Sequence, residues 1–457
     1  MSQPVDAFVR ENESRLLEEL KTFLRIPSIS TLPENKGDVE RAAKFTADAL
    51  NAAGMENIEI IPTPGHPLVY AEWLHAPGKP TVLLYGHYDV QPPDPLELWN
   101  TPPFEPTVRD GNLYARGSAD DKGQFYMHIK AVEALRTIHG KLPVNVKFLV
   151  EGEEEIGGKS IAKFVEENPS KLKADVALVS DTALYAEGIP TLCIGLRGLV
   201  YMEVEATGPM RDLHSGLYGG AAPNAVFGLI ELLAKTKSAD GRIQIPGIYD
   251  DVKEPASHEL ESWKTLPFKE DEFLAKEVGS VRLTGERDRS VLERVWSRPT
   301  LEVHGIAGGF TGAGAKTVIP AKATAKVSFR LVPDQDPGKV IQSFRKFVAD
   351  NTPAGLKTEV RVLSGGPAVV VNPDHPAIDT AAKAFSEILG KPTVFIRSGG
   401  SIPIVGDFAR HLRIPTVLMG FGLPDDGLHS PNEKYKIANF YTGIVTIAHF
   451  LELYGQG

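Results

Sequence analysis

The sequence predicts an α/β protein with a mainly parallel mixed sheet, interrupted by a smaller inserted α+β domain. The chain has 457 residues, a length that favours two domains over a single core. Towards both ends, apolar runs of strand length alternate with segments of helical spacing, which is typical of βαβ units. In the middle, the strands instead alternate apolar and polar residues, as half-exposed strands do. We therefore expect a larger domain formed by residues 1–198 and 367–457, and an inserted domain formed by residues 199–366.

Two amphipathic helices are predicted at the start of the chain. Apolar residues recur at helical spacing over residues 5–24, and Pro27 stops the pattern. A second helix is predicted over residues 38–53, with Asp38 as its N-cap and Gly54 after its end. Strands and helices then alternate, which predicts a mainly parallel sheet. The strands are predicted at residues 67–73, 81–85, 144–150 and 175–179, and the helices at 124–137 and 159–167.

The middle of the chain has a different pattern. Half-polar strands are predicted at residues 200–206, 322–332 and 358–362, with helices at 222–235 and 338–351. Strand–helix–strand groups of this kind predict a small α+β domain whose sheet has one open face. No element is predicted in the charged stretch 238–298. The α/β pattern returns from about residue 366, with helices at 377–389 and 438–453 and strands at 393–396 and 416–419.

Charge and composition disfavour several classes of protein. The net charge of −10 argues against a nucleic-acid partner or an anionic membrane surface, because an acidic protein gains nothing from meeting either. The single cysteine, Cys193, lies in an apolar run and is expected to be buried rather than reactive. The sequence has one cysteine, no signal-peptide pattern and no apolar run near the ~18 residues of a membrane span. It therefore predicts a soluble, cytoplasmic protein.

Six short segments carry clusters of histidine and acidic residues. They contain His87 and Asp89; Asp120 and Asp121; Glu153, Glu154 and Glu155; Asp181; His214; and Asp426 with His429. Four of these segments follow predicted strands, and ligands at the strand ends of an α/β sheet converge on one crevice. Imidazole and carboxylate groups together suit zinc or manganese. The pattern predicts a site for two metal ions, and therefore a hydrolase.

Each cluster also has a simpler interpretation. His87 and Asp89 share one side of a strand end, so Asp89 is expected to orient the His87 ring, although an ordinary hydrogen-bonded turn would contain the same pair. The other clusters have alternatives of this kind: a helix N-cap for Asp120–Asp121, a solvated charge run for residues 153–155, a loop cap for Asp181 and an exposed loop for His429.

Two further stretches partly match motifs of other functions, namely phosphate binding and polyproline recognition. Residues 312–317 are close to a phosphate-binding loop, but Ala315 stands where that motif requires a glycine before the lysine. Residues 91–106 are rich in proline, which is typical of polyproline ligands. Their place between two candidate ligand segments favours a rigid loop beside the site instead. The sequence contains no Gly-x-Ser-x-Gly elbow, so a serine hydrolase of that type is not indicated.

Several longer motifs accompany these clusters in order along the chain. They are Asp-Leu-His-Ser-Gly at 212–216, Gly-Ala-Lys-Thr-Val-Ile-Pro at 314–320, Ser-Phe-Arg-Leu-Val-Pro at 328–333, Gly-Gly-Ser-Ile-Pro at 399–403 and His-Ser-Pro-Asn-Glu at 429–433. Together with the clusters, they resemble the M20 family of metallopeptidases, and within it the branch of cytosolic nonspecific dipeptidase and carnosine dipeptidase. The resemblance covers most of the chain. It implies a zinc-peptidase-like catalytic domain and an inserted lid and dimerisation domain.

The resemblance also implies a set of metal ligands and catalytic residues. Two divalent ions, zinc or manganese, would share the carboxylate of Asp120. The remaining ligands would be His87 and Asp181 for one ion and Glu155 and His429 for the other. Glu154 would act as general base on a metal-activated bridging water and then as proton donor, and Asp89 would support catalysis through His87.

The inserted domain and the segment around Ser401 would bind the substrate. The resemblance implies a homodimer joined through the inserted domain, with His214 reaching the partner's site to stabilise the transition-state oxygen. Thr317, Arg330 and Ser401 would bind the substrate, with Arg330 on its C-terminal carboxylate. A closing lid would limit the substrate to dipeptides. Two alternatives remain open: an N-acyl amino acid deacylase or other amidohydrolase of the same family, and an inactive binding protein on this fold.

Overall fold

The chain divides into two units in a computed structural model that describes residues 3–456. The first unit holds the chain up to Ile194, Val371–Ile396 and the chain from Ile402 onwards, and the second holds Gly195–Val370 and Arg397–Ser401. The segment Arg397–Ser401 differs from the predicted division, which assigned it to the larger domain. Its side chains supply the reason, because Arg397 forms a bidentate ion pair with Glu259 of the second unit.

The described chain up to Leu196 begins with two α-helices and five strands, and helices then alternate with strands as predicted. The elements are α1 (Gln3–Leu24), α2 (Lys36–Ala52), β1 (Glu56–Ile61), β2 (Leu68–Trp73), β3 (Thr81–His87), β4 (Thr107–Arg109), β5 (Asn112–Tyr114), α3 (Lys122–His139), β6 (Asn145–Glu151), α4 (Lys159–Glu167), β7 (Val176–Val179) and β8 (Thr191–Leu196). Cys193 is buried in β8, which confirms its expected packing role.

The second unit is built around long antiparallel strands. Its elements are β9 (Gly198–Thr207), β10 (Leu213–His214), α5 (Ser215–Tyr218), α6 (Ala225–Ala234), α7 (Ser257–Lys264), α8 (Glu270–Phe273), α9 (Val291–Trp296), β11 (Thr300–Gly308), β12 (Val318–Ile319), β13 (Lys322–Leu331), α10 (Pro337–Asn351), β14 (Lys357–Gly366) and β15 (Val369–Val370). The main sheet has the order β11-β13-β9-β14, and every neighbouring pair is antiparallel.

The last part of the chain completes the first unit. Its elements are α11 (Pro376–Leu389), β16 (Val394–Ser398), α12 (Pro403–Asp407), β17 (Thr416–Leu418), β18 (Lys434–Lys436) and α13 (Ile437–Tyr454). The strand order of the first unit is β1-β2-β6-β3-β7-β17-β8, and β16 also pairs with β8. The central strands β6, β3, β7 and β17 are parallel, and β1, β2 and β8 are antiparallel to their neighbours. The predicted mixed α/β sheet is therefore confirmed, with its parallel part at the centre.

Burial follows from this topology. All four residues of β7 are buried, as expected for a parallel strand covered on both faces. In the second unit β9 alternates buried and partly exposed residues along its whole length, because only one face packs on helices. Met202 and Val204 of β9 contribute to a core that also includes Leu229 of α6 and Phe344 of α10. The half-polar pattern of the sequence thus predicted the one-sided sheet correctly.

Some local predictions were wrong or incomplete. Asp38 is not the N-cap of α2: the helix begins at Lys36, and Asp38 accepts a hydrogen bond from the side chain of Asn35 in its first turn. The strands β1 and β11 had no predicted counterpart, because their residues are mostly exposed and lack a clear apolar period. The stretch 238–298 contains the short helices α7, α8 and α9. Within the part of the chain that the structure describes, no helix is long and apolar enough to cross a membrane.

Candidate metal centre

The candidate ligands lie beyond the carboxyl ends of the parallel strands in the first unit. His87 is the last residue of β3, Glu155 lies in the turn that follows β6, and Asp181 follows β7. His429 lies in the turn between β17 and β18, with a left-handed backbone at φ 60°. Because parallel strands end at one edge of the sheet, residues far apart in the sequence meet there.

Asp120 lies between two groups of potential metal-binding atoms. His87, Asp120 and Asp181 offer ligand atoms within 4.8 Å of one another, and so do Asp120, Glu155 and His429. Oδ1 of Asp120 is 3.2 Å from Nε2 of His87, whereas Oδ2 is 3.0 Å from Nε2 of His429. Each carboxylate oxygen therefore faces a different histidine, an arrangement that allows one carboxylate to bridge two ions.

Asp89 lies behind His87, on the side of the ring opposite Asp120. Nδ1 of His87 is 3.1 Å from the backbone oxygen of Asp89 and 3.4 Å from Oδ1. The buried Asp89 carboxylate also accepts hydrogen bonds from the backbone amides of Glu154 and Glu155, at 3.2 and 3.1 Å. One side chain thus orients a candidate imidazole ligand and the turn that carries two candidate glutamates.

The three consecutive glutamates have different surroundings. Glu153 is buried and accepts hydrogen bonds from the amides of His66 and Ser160, so it holds loops together. The Glu155 carboxylate lies 3.3 Å from Nε2 of His429 and accepts a hydrogen bond from Nε2 of Gln91 at 2.7 Å. Residues 153–155 are therefore not a solvated charge run. The contact from Gln91 also places the start of the proline-rich loop against this cluster.

The electrostatics of the cluster favour an added cation. Burial raises the pKa of Glu154 to about 8, with the charges of Glu155 and Asp120 adding to the effect. Burial and the neighbouring Asp120 raise the pKa of Asp181 well above its usual range. Hydrogen bonds to Asp120 and Glu155 raise the pKa of His429 to about 10. Crowded carboxylates here retain protons for charge compensation, and a divalent cation between the same oxygen and nitrogen donors compensates them directly, so these residues fit divalent metal ions.

The backbone around Asp120 is held by residues whose roles the sequence did not indicate. Asp121 occupies the N-cap position of α3, but no side-chain capping bond forms. Its Oδ2 instead accepts a hydrogen bond from the amide of His87. The close approach requires glycine at position 86, since a Cβ there would lie 2.2 Å from Cβ of Phe125. The alternative interpretation of Asp121 as an N-cap is therefore wrong, and its side chain instead bonds to β3, the strand that ends in His87.

The predicted substrate-binding residues lie in the second unit, in two pairs. His214 and Thr317 lie on adjoining strand ends, where the amide of Ser215 donates to the backbone oxygen of Thr317 at 3.1 Å. The His214 ring Nδ1 accepts a hydrogen bond from the amide of Gly216. In the other pair, Nη1 of Arg330 donates to Oγ of Ser401 at 3.0 Å.

Arg197 supports the Ser401 loop and was missed in the sequence. Its Nε donates to the backbone oxygen of Gly399 at 3.2 Å, and its backbone oxygen accepts from Oγ of Ser401. Burial, together with the nearby positive charge of Arg330, lowers the pKa of Arg197 to about 10. Two guanidinium groups therefore lie in the region of Ser401, which favours an anionic ligand there.

Known proteins are similar to this chain in sequence and in fold. The Cys-Gly metallodipeptidase DUG1 of Candida albicans is 33% identical over 99% of this chain and 97% of its own length. Crystallised human carnosine dipeptidase 1 is 31% identical, with a TM-score of 0.87 over 100% of this chain and 99% of that one. The M20 family metallo-carboxypeptidase Sso-CP2 of Sulfolobus solfataricus is 32% identical, with a TM-score of 0.87 over 97% and 99% of the two chains.

The family model for Peptidase family M20/M25/M40 matches residues 83–453. This range contains every candidate ligand and every candidate substrate-binding residue described above. With similarity over nearly the whole chain to the relatives just named, the protein belongs to the M20/M25/M40 peptidase family.

Proposed function

We propose that the protein is a di-metal dipeptidase that hydrolyses the peptide bond of dipeptides. The observation that carries this proposal is the position of Asp120, whose two oxygens face His87 and His429 in separate donor groups. A bridging carboxylate between two complete groups is what a two-metal hydrolytic site needs. The presence of all these residues also argues against an inactive binding protein, because such a protein would be expected to lack a metal-binding residue.

Two ions of zinc or manganese are proposed to bind at the donor groups. His87, Asp120 and Asp181 would hold one ion, and Asp120, Glu155 and His429 the other. When bound, such ions lower the pKa of water and polarise the scissile carbonyl group. Both metals accept mixed nitrogen and oxygen ligands, so the choice between them depends on geometry and availability.

Glu154 is proposed to be the general base. Its carboxylate takes the proton from the attacking water and passes it to the nitrogen of the leaving amine. Asp89 fixes the Glu154 backbone amide, which holds the base in position. Burial raises the pKa of Glu154 in the cluster without cations, and the positive charge of two bound ions would lower this pKa and leave the carboxylate free to accept a proton.

The substrate is proposed to be held by residues of the second unit. Arg330 would bind the C-terminal carboxylate of the dipeptide, supported by Ser401 and by the positive charge of Arg197. Thr317 would contact the substrate backbone. His214 would stabilise the oxyanion of the transition state in the site of a partner subunit, as the family resemblance implies.

A homodimer through the second unit is proposed on the basis of an exposed apolar surface. Its members are Val303 and Ile306 on the edge strand β11 and Phe227 and Ile230 on α6, with 42%, 50%, 63% and 48% of their surface exposed. An exposed edge strand is a template for pairing with another chain, and a second copy can pair β11 with itself about a two-fold axis. Sedimentation velocity should show a dimer for the wild type and a monomer for Ile306→Lys. The control Ile60→Lys changes an exposed isoleucine on the edge strand β1 of the first unit and should leave the dimer intact.

Two other activities compete with dipeptide hydrolysis. An N-acyl amino acid deacylase would use the same metals and base, because both substrates contain an amide next to a carboxylate. A carboxypeptidase is the second competitor, since Sso-CP2 resembles this chain about as well as the dipeptidase relatives do.

A cytoplasmic location is also proposed, on the basis of the single buried cysteine.

A substrate panel tests the proposal. Chelator-stripped protein is assayed before and after addition of Zn²⁺ or Mn²⁺, with dipeptides, tripeptides and N-acyl amino acids. Metal-restored cleavage confined to dipeptides is the expected result. Cleavage of acyl amino acids alone would indicate the deacylase, and release of C-terminal residues from tripeptides the carboxypeptidase. Two bound metals without cleavage of any substrate would contradict the hydrolase proposal.

A further inference from the structure

We infer that Glu433 is a positioning residue that holds the Asp120 loop and the His429 turn together and thereby forms the second of the two proposed metal sites. This inference rests on the proposed function, in that it concerns the same donor groups. Glu433 is fully buried. In the sequence, Glu433 is the last residue of the His-Ser-Pro-Asn-Glu motif at 429–433, and no role is predicted for it.

The Glu433 carboxylate collects four donors from a single loop. Oε2 accepts hydrogen bonds from Nη1 of Arg116 at 2.8 Å and from the amide of Gly117 at 2.9 Å. Oε1 accepts from the amides of Ala119 and Asp120 at 2.9 and 3.1 Å. All the acceptor capacity of the carboxylate is therefore directed at the loop that ends in the bridging Asp120.

Arg116 completes a buried clamp. Its guanidinium is 1% exposed, and its Nη2 donates to the backbone oxygen of Pro92 at 3.2 Å. A buried ion pair with several additional hydrogen bonds is rigid, and loss of one partner leaves an uncompensated charge. The clamp thus joins the proline-rich loop, the Asp120 loop and Glu433 in one network.

Glu433 also terminates the turn that carries His429. The turn is short: Asp426 accepts a hydrogen bond from the amide of Leu423 at its start, and its backbone oxygen accepts from the amide of Lys434 at its end. Half of the His429 side chain is exposed, so packing alone does not fix it. The distance between His429 and Asp120 therefore depends on the bonds that Glu433 makes to the Asp120 loop.

The two donor groups depend on this clamp to different degrees. The group of His87 and Asp181 has its own support, because Asp121 accepts the His87 amide and Asp89 orients the His87 ring. The group of Glu155 and His429 obtains its spacing from Asp120 through Glu433. Disruption of the clamp should therefore weaken the second site selectively, which general destabilisation of the fold would not do.

Calorimetric titration of chelator-stripped protein with Zn²⁺, and separately with Mn²⁺, tests the inference. We expect two sites in the wild type. Glu433→Gln places an NH₂ group, which is a donor, against N–H groups that need an acceptor. One metal site should keep its affinity, and the affinity of the other should fall by about 10–100-fold, the range known for residues that support metal ligands. Activity lost at low metal concentration should return with excess metal. If Glu433→Gln does not fold, Glu433→Asp retains the charge, shortens the reach and should weaken the same site.

Glu387→Gln is the matched control. Its carboxylate pairs with His449 on α13 and with Lys383 on its own helix, α11, and both metal affinities should equal those of the wild type. Unchanged affinities in the Glu433 variants, or equal loss at both sites, would overturn the inference. A wild type that binds two ions but cleaves no dipeptide would overturn the proposed function while a selective effect of Glu433→Gln would still support the clamp. A wild type with fewer than two sites would overturn both.

Discussion

Asp89 holds Glu154 by its backbone: the amide of Glu154 donates to Oδ1 of Asp89 at 3.2 Å. The residues are 65 positions apart in the sequence and lie in the turns after two neighbouring parallel strands, β3 and β6. The same carboxylate faces Nδ1 of His87. The proposed base and a candidate metal ligand are thus aligned by one buried group, and a change at Asp89 should affect both.

Asp89→Asn should reduce metal affinity and turnover together. The amide keeps one oxygen for the turn amides but directs its NH₂ group at the other donor. The negative charge that faces Nδ1 of His87 is also lost, and only the backbone oxygen of residue 89 remains as an acceptor for that nitrogen. We expect a loss of about 10–100-fold in metal affinity, measured by titration of the stripped protein, with a lower kcat at saturating metal. Wild-type affinity and kcat would contradict the positioning role of Asp89.

Glu154→Gln should abolish turnover without loss of metal. Removal of a general base costs about 10²–10⁴-fold in rate, and no donor of either metal group is altered. Elemental analysis should give wild-type metal content, while kcat on a dipeptide falls. Glu153→Gln is the matched control, because Glu153 binds only backbone amides: it should lower stability and leave kcat close to that of the wild type. A fully active Glu154→Gln protein would refute the assignment.

Arg330→Ala should weaken binding of substrates with a free C-terminal carboxylate. A hydrogen bond to a charged group contributes about 1.5–3 kcal/mol, so KM should rise by about 10–100-fold with a smaller change in kcat. A dipeptide amide, which lacks the carboxylate, should lose much less. Arg345→Ala removes an arginine that contacts the backbone of Val360 and serves as control. Equal losses on free and blocked substrates would count against the role of Arg330.

His128 should make the protein less stable in acid. It is buried in α3 with Nε2 2.7 Å from Oγ of Ser180, and burial lowers its pKa from 6.5 to about 3. Between these values the unfolded chain binds a proton that the native state does not. The unfolding free energy should therefore decrease as the pH falls through this range, by up to about 1.4 kcal/mol per pH unit.

Urea unfolding of the metal-free protein at several pH values measures this effect. His128→Gln cannot take up the proton and should show a shallower decrease below pH 6.5 than the wild type, whatever its stability at neutral pH. Parallel pH profiles of the two proteins would show that His128 does not contribute.

The helices and strands that could be predicted are those whose signals lie within the segment itself. Helix α4 occupies Lys159–Glu167 as expected, and β7 ends at Val179 as expected, because apolar period and end signals lie within each segment. The edge strands β1 and β11 were missed since mostly exposed residues leave no such pattern. Asp38 was misplaced as a cap because a favourable residue type does not specify which turn begins the helix.

The sequence by itself predicted the family through its ordered motifs, and the resemblance implied the ligands. It also predicted the mixed α/β class and a metal cluster, because acidic residues and histidines follow apolar strands directly and strand ends of a parallel sheet must converge. Tertiary structure alone decided which of these residues meet. It directed the two oxygens of Asp120 to different histidines. It assigned Glu153 to loop packing, beside Glu155 in the candidate metal cluster. It also placed Glu433 against the Asp120 amide, 313 positions away. Such contacts depend on the three-dimensional course of loops, for which neighbouring residues in the sequence carry no periodic signal.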